Sequence, residues 1–302
     1  MKTQNLITRR DFLALTGGWL LSTKIMAAPT EAPSLLTRAI PHGGERLPVV
    51  GLGTASIFNT NSEATRGKAE AVIQALLKSG GRLIDTASVY GDAESVLGDV
   101  IAVAGLRERL FIATKLESPD ADELQRSLTR LKMPKVDLLQ LHNVRSAQQS
   151  LQRFRDWRAQ GVCRYVGITS TFRSDYGAVE AVLKREKPDF VQIDYSLDNR
   201  EAEKTILPLA VDVGAGVLTA LPYGRARLFR AVHGKELPDW ARPFADSWGQ
   251  FFLKYLLADP RVTAVIPGTN DPGHMSDNAG AMRGSLPDAA QRRRMVELVE
   301  GL

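Results

Sequence analysis

Asp85, Tyr90, Lys115 and His142 are the residues of this sequence whose types and placement point to chemistry. Leu83-Ile84 precedes Asp85, Phe111-Ile112-Ala113-Thr114 precedes Lys115, and Leu138-Leu139-Gln140-Leu141 precedes His142. Tyr90-Gly91 follows Asp85 in the same loop. Taken singly, none is distinctive. An Asp after a strand usually makes a turn, and a Lys there usually snorkels to water. A lone His or Tyr usually hydrogen-bonds or packs. Together, a carboxylate, a phenol, an ammonium and an imidazole at three consecutive strand–loop junctions form a set that can pair charge and move protons.

The elements that must position these groups are legible as a rhythm. Short aliphatic runs occur at 48–52, 82–85, 110–114, 136–141, 165–168, 190–193, 216–219 and 262–266. Helical patterns lie between them at 64–79, 94–103, 121–131, 146–159, 175–184, 202–213 and 248–257. Strand–helix alternation with buried-type strands predicts a parallel sheet. Eight such units predict an α/β fold, a closed (β/α)8 TIM barrel. An open doubly wound sheet would announce a Gly-rich turn after its first strand. Gly51-Leu52-Gly53-Thr54 lacks the third glycine. An N-terminal β-hairpin is expected over 37–50, turning at His42-Gly43-Gly44 and plugging the barrel bottom. Residues 222–243 read as a long irregular insert, and 291–300 as a C-terminal helix. In a barrel, chemistry gathers at the C-terminal ends of the strands, where the four residues fall.

The chain has 302 residues, 39 Lys+Arg against 34 Asp+Glu, a net charge of +5 and one cysteine. That composition excludes a disordered chain, and one cysteine excludes an intrachain disulfide. Lys2, Arg9, Arg10 and Lys24 oppose only Asp11 in the first 28 residues, so more than half of the net charge lies there. Arg292, Arg293 and Arg294 on the C-terminal helix have Glu297 and Glu300 beside them and read as a solvated face, not a nucleic-acid surface. Residues 12–23 form an apolar run too short for a membrane span, which needs about 20 residues. Thr8-Arg9-Arg10-Asp11-Phe12-Leu13 resembles a twin-arginine (Tat) export signal, with Met26-Ala27-Ala28-Pro29 near a cleavage point. The expected division is a signal peptide over 1–28 and a barrel domain over 29–302, exported folded to the periplasm by the Tat machinery. A monomer is expected, and the lone Cys163 suits an oxidising compartment.

The barrel resembles the aldo/keto reductase family. The matching segments are Gly51-Leu52-Gly53-Thr54, Ile84-Asp85-Thr86-Ala87-Ser88-Val89-Tyr90-Gly91, Ala113-Thr114-Lys115 and Leu139-Gln140-Leu141-His142. They continue with Gly167-Ile168-Thr169-Ser170, Val191-Gln192-Ile193-Asp194-Tyr195-Ser196 and Ile266-Pro267-Gly268-Thr269. They occur in the family's order across almost the whole chain after the export signal. The resemblance implies reduction of an aldehyde or ketone by a nicotinamide cofactor, without metal. It assigns the proton to Tyr90, with Lys115 favouring the phenolate left behind, Asp85 holding Lys115, and His142 orienting the carbonyl oxygen. It assigns nicotinamide stacking to Tyr195 and its carboxamide to Thr169, Ser170 and Gln192. Residues 221–224, with Leu221 and Gly224 at the ends, fall to the pyrophosphate. Gly268, Thr269, His274, Asp277 and Asn278 fall to the adenosine end. The cofactor implied is NADPH, with NADH still open. Gly268 and His274 stand where many relatives carry Lys and Arg, and a neutral His is a weaker phosphate clamp. Ile57, Phe58, Val144 and the 223–240 insert are expected to wall the substrate pocket. Two other classes remain: a non-catalytic, redox-sensing nucleotide-binding barrel, and a lyase or isomerase using Lys115 as a Schiff-base amine.

Overall fold

In the computed structural model the described residues are 34–302. The twin-arginine segment, the cleavage after Ala28 and the 28/29 boundary lie outside them. The chain enters through a hairpin, β1 (Thr37–Ala39) and β2 (Arg46–Pro48), paired antiparallel with Ala39 opposite Arg46. Gly43 and Gly44 turn it at φ of 91° and 69°, a region that costs a side chain but not glycine.

The barrel strands are β3 (Leu52–Gly53), β4 (Leu83–Asp85), β5 (Phe111–Leu116), β6 (Val136–Leu141), β7 (Cys163–Ser170), β8 (Phe190–Asp194), β9 (Gly216–Ala220) and β10 (Ala264–Val265). Each pairs parallel with the next in chain order. The ring closes where Val50 and Gly53 bridge Val265 and Gly268 in parallel. There Gly51 N donates to Val265 O, and Val265 N to Val49 O, both at 2.9 Å. Gly53 is required at this seam, because a Cβ would stand 2.8 Å from Ile266 O.

Outside the ring lie α1 (Glu63–Lys78), α2 (Ala93–Ala104), α3 (Ala121–Leu131), α4 (Gln152–Ala159), α5 (Tyr176–Glu186), α6 (Ile206–Val213), α7 (Arg227–Ala231), α8 (Trp248–Leu257), α9 (Pro272–Gly280) and α10 (Ala289–Glu300). The starts of several are fixed by their own side chains. Ser62 accepts from Thr65 N ahead of α1, and Asp288 and Gln291 form a capping box on α10.

Three elements differ from the sequence expectation. Helix α4 begins at Gln152, six residues late. The polar side chains before it satisfy the backbone in turns instead: Gln149 Oε1 accepts from Arg145 N at 2.8 Å and from Ser146 N at 3.1 Å. Helix α6 begins at Ile206, after a separate short turn at Glu201–Glu203. The insert expected to be irregular contains α7 and a second short turn at Asp239–Ala241.

Apolar side chains separate into two cores. One packs the outer faces of the strands under the helices. The other takes Leu83, Phe111, Ala113, Leu138, Tyr165, Phe190, Leu218 and Ala264 from successive strands and adds Ile40 and Leu47 from the hairpin. That second core fills the barrel, and the hairpin plugs its lower end. Arg38 fastens the plug from outside: its guanidinium donates to Asp259 O at 2.7 Å and to the carbonyls of Leu257 and Val262, at the C-terminal end of α8. Strand side chains alternate faces, so the inward series climb in steps of two. Leu83 leads to Asp85, Phe111 and Ala113 to Lys115, Leu138 to Gln140 and His142, Tyr165 to Gly167 and Thr169, and Phe190 to Gln192. Each series passes from apolar filling to a polar tip at the strand's C-terminal end.

Candidate active site

Those polar tips meet in one network. Lys115 Nζ lies 2.6 Å from Asp85 Oδ2 and donates to Thr86 O at 2.7 Å. Both side chains are almost fully buried. Burial alone disfavours the ammonium, but the Asp85 carboxylate and then the Tyr90 hydroxyl outweigh it, and the Lys115 pKa moves up from its ordinary value. Lys115 Nζ also stands 5.0 Å from the centre of the Tyr90 ring. Beneath this pair, Gln140 Nε2 donates to Asp85 Oδ1 at 3.3 Å and to Gln192 Oε1 at 3.0 Å. Gln192 Nε2 donates to Asp85 Oδ2 at 3.3 Å. Two amides thus hold the carboxylate from below. Gly167 makes room for them, since a Cβ there would come within 2.9 Å of Gln140 Cγ.

His142 completes the arrangement, its ring edge-on to Tyr90 with centroids 5.7 Å apart. Its Nδ1 is in direct contact with the carboxylate of Glu117, just past the end of β5. Burial and the nearby Lys115 charge lower the His142 pKa, and Glu117 and Asp85 oppose this without reversing it. The imidazole is therefore predominantly neutral at pH 7.

These groups form the inner end of a cavity of about 900 Å³. It runs from Asp85, Tyr90, Lys115 and His142 past Thr169 and Gln192, along Leu221 and Arg225, to Thr269, His274, Asp277 and Asn278. Ile57 and Gly268 line it as well, and they need each other: a Cβ on Gly268 would stand 2.8 Å from Ile57 Cδ1. At the far end Ser247 Oγ and Gln250 Nε2 donate to the two Asp277 oxygens at 2.6 and 2.9 Å. Tyr223 donates to Asn278 Oδ1 at 2.5 Å.

Five residues expected at the cavity are placed elsewhere. Tyr195 is fully buried among the outer helices. Its hydroxyl contacts Glu203 and accepts from Arg292 Nη2 at 3.1 Å, so its ring cannot stack in the cavity. It lies an odd number of residues from Gln192 and so faces outward. Ser170 lies one step from inward Thr169 and turns outward for the same reason. Its hydroxyl donates to Asp175 Oδ2 at 3.1 Å and accepts from Phe172 N at 3.2 Å. Phe58 and Val144 are fully buried in the outer core. Gly224 shapes its loop rather than lining the cavity: its φ is 56°, and a Cβ would meet the Asp198 carboxylate at 2.6 Å. Several lining residues carried no signal in the sequence. Thr171, just past the end of β7, is one of them, whereas Tyr223, Arg225, Ala226 and Phe229 belong to the 223–240 insert that was expected to wall the pocket. Gln140, by contrast, was findable, since it sits two residues before His142 on the same face.

A closed eight-stranded barrel with this acid, phenol, ammonium and imidazole at one rim defines a class, the (β/α)8 barrels with a proton-transfer set at the C-terminal ends of their strands. Residues 49–298 match the model of the aldo/keto reductase family. The chain is 37% identical over 282 residues to an aldo-keto reductase of Mycobacterium sp. (89% of this chain, 91% of that protein). It is 27% identical over 260 residues to a methylglyoxal reductase of Escherichia coli (82% and 89%). Among solved structures it is similar to an aldo-keto reductase from Klebsiella pneumoniae in complex with NADPH (TM-score 0.75, 23% identity, 88% of this chain and 96% of that one). A second Klebsiella pneumoniae structure, in complex with NADP and acetate, aligns with TM-score 0.72 and 25% identity over 85% and 93%. The chain belongs to the aldo/keto reductase family, and is an NAD(P)-dependent oxidoreductase.

Proposed function

We propose that this protein reduces an aldehyde or ketone to the alcohol with NADPH, Tyr90 donating the proton. The observation that carries this reading is Lys115, held 2.6 Å from Asp85 and 5.0 Å from the Tyr90 ring at the closed end of a long cavity. When bound, the reduced nicotinamide supplies the hydride that adds to the carbonyl carbon. The oxygen then gains negative charge and takes the Tyr90 proton. Lys115 stabilises the phenolate left behind, and Asp85 keeps Lys115 charged and in place. His142 orients the reacting oxygen.

The residues present fit a dinucleotide. Thr169 and Gln192 would hold the carboxamide, and Leu221 and the cationic Arg225, which line the same cavity, would hold the pyrophosphate. Thr269, His274 and Asn278 would take the adenosine end. Support for NADPH comes from the cofactors of the Klebsiella relatives. The substrate is a small carbonyl compound, and the Escherichia coli relative makes dicarbonyls the first class to test. On the sequence motif, we place the protein in the periplasm, exported folded with its cofactor bound.

The test is NADPH consumption with a panel of aldehydes, ketones and dicarbonyls. Tyr90→Phe is expected to lower turnover by about 10²–10⁴-fold, the range for loss of a general acid, and to leave NADPH affinity within a few-fold. Near-normal turnover by that variant would falsify Tyr90 as the donor.

A further inference from the structure

The contact between His142 and Glu117 has no place in the four-residue set. Glu117 follows Lys115 by two positions but lies beyond the end of β5, with its side chain 40% exposed and its Oε1 on His142 Nδ1. We propose that Glu117 is a positioning residue that fixes the proton of His142 on Nδ1 and thereby governs when that ring can donate a hydrogen bond to the substrate oxygen. This rests on the carbonyl-reductase reading for its catalytic consequence, and on geometry alone for the tautomer.

A carboxylate has no proton to give, so the ring nitrogen facing it must carry one. A neutral His142 is then the Nδ1–H tautomer, and its Nε2 is a bare acceptor. It can hydrogen-bond a hydroxyl, the product of reduction, but not a carbonyl oxygen. Only the imidazolium, protonated on both nitrogens, presents an Nε2–H donor to a carbonyl. Donation to the substrate therefore requires proton uptake by the ring.

The groups facing His142 set where that uptake occurs. Lys115 from β5 and burial oppose the cation, while Glu117 and Asp85 favour it. Tyr90 adds only its ring edge. Carbonyl reduction is thus expected to be favoured on the acid side of the His142 titration and alcohol oxidation on the alkaline side. Replacing Glu117 with Gln removes the anion that stabilises the imidazolium. It also supplies an amide that can donate to Nδ1, which allows the Nε2–H tautomer in the neutral ring.

The experiment uses ¹⁵N-imidazole-labelled full-length protein with NADPH bound. Its four histidines are His42, His142, His233 and His274, and a His142→Gln control assigns the resonance. The neutral wild-type ring is expected to show the Nδ1–H signature. In Glu117→Gln the His142 titration should fall by about one pH unit, the low end of what one opposite charge contributes. The Nε2–H form should also appear, and the pH limb of kcat/KM for carbonyl reduction should change with it. A wild-type ring protonated on Nε2, or a titration and pH profile untouched by Glu117→Gln, would overturn the proposal. Failure of the carbonyl-reductase reading is separable. It would show as no NADPH consumption with any carbonyl, while the NMR tautomer would still decide the role of Glu117.

Discussion

Lys115 owes its charge first to Asp85 and then to Tyr90. Buried in the barrel mouth, an ammonium would tend to lose its proton, and the Asp85 carboxylate 2.6 Å away prevents it. Cys163 shows burial acting without such a partner. It is 4% exposed at the start of β7. Burial comes first among its influences and pushes the thiol up to about 12, with Arg158 only partly opposing. The thiolate is the reactive form, so the folded protein at pH 8 is expected to react with a thiol reagent far more slowly than the unfolded chain. Rapid labelling of the native protein would contradict the burial argument. Tyr90 and Tyr195 differ for a third reason, position relative to the strands. Tyr90 lies in the loop that folds over the rim, whereas Tyr195 continues β8 by one residue and inherits the outward face. Strand alternation made the placement of Ser170 and Tyr195 legible in the sequence, and family resemblance pointed the other way.

At the level of elements, Glu94 ties three of them together. It sits on α2 at 1% exposure and receives hydrogen bonds from Thr114 on β5 and Ser127 on α3. Arg130 on α3 stands 3.6 Å from its second oxygen. Burial raises its pKa, more than the two hydroxyls and Arg130 lower it. A carboxyl with a folded pKa above its unfolded value contributes stability below the unfolded pKa, near 4.5, and that contribution is lost as pH rises through the folded value. Glu94→Gln keeps a neutral acceptor at all pH values. The melting temperature of Glu94→Gln relative to wild type is therefore expected to rise between pH 5 and pH 8. A constant difference across that range would place the titration elsewhere. None of this was legible beforehand, because Glu94 reads as an ordinary first-turn acid. Only the packing of α2 and α3 against β5 buries it.

For the whole molecule, the hairpin plug, the apolar filling and the polar mouth give the barrel one open end. The cavity of about 900 Å³ at that end is where we propose the nicotinamide cofactor binds. The export proposed from the twin-arginine motif then carries a consequence. Protein recovered from periplasm is expected to hold near-stoichiometric nicotinamide nucleotide, measured by absorbance after denaturation. Empty protein with weak NADPH affinity would sink the idea of export as the loaded enzyme. The basic N-terminus accounts for more than half of the net charge, so the barrel itself is close to neutral.

The sequence by itself determined the barrel, its eight strand positions, and the meeting of Asp85, Lys115 and His142. Those follow from local rules, the alternation of aliphatic runs with helical patterns and the period of two along a strand. Only the tertiary structure decided which loop residues reach the cavity and that Glu117 touches His142. Such contacts join residues far apart in the chain, Glu117 and His142 by 25 positions. They depend on how loops pack above the barrel, which no local periodicity encodes.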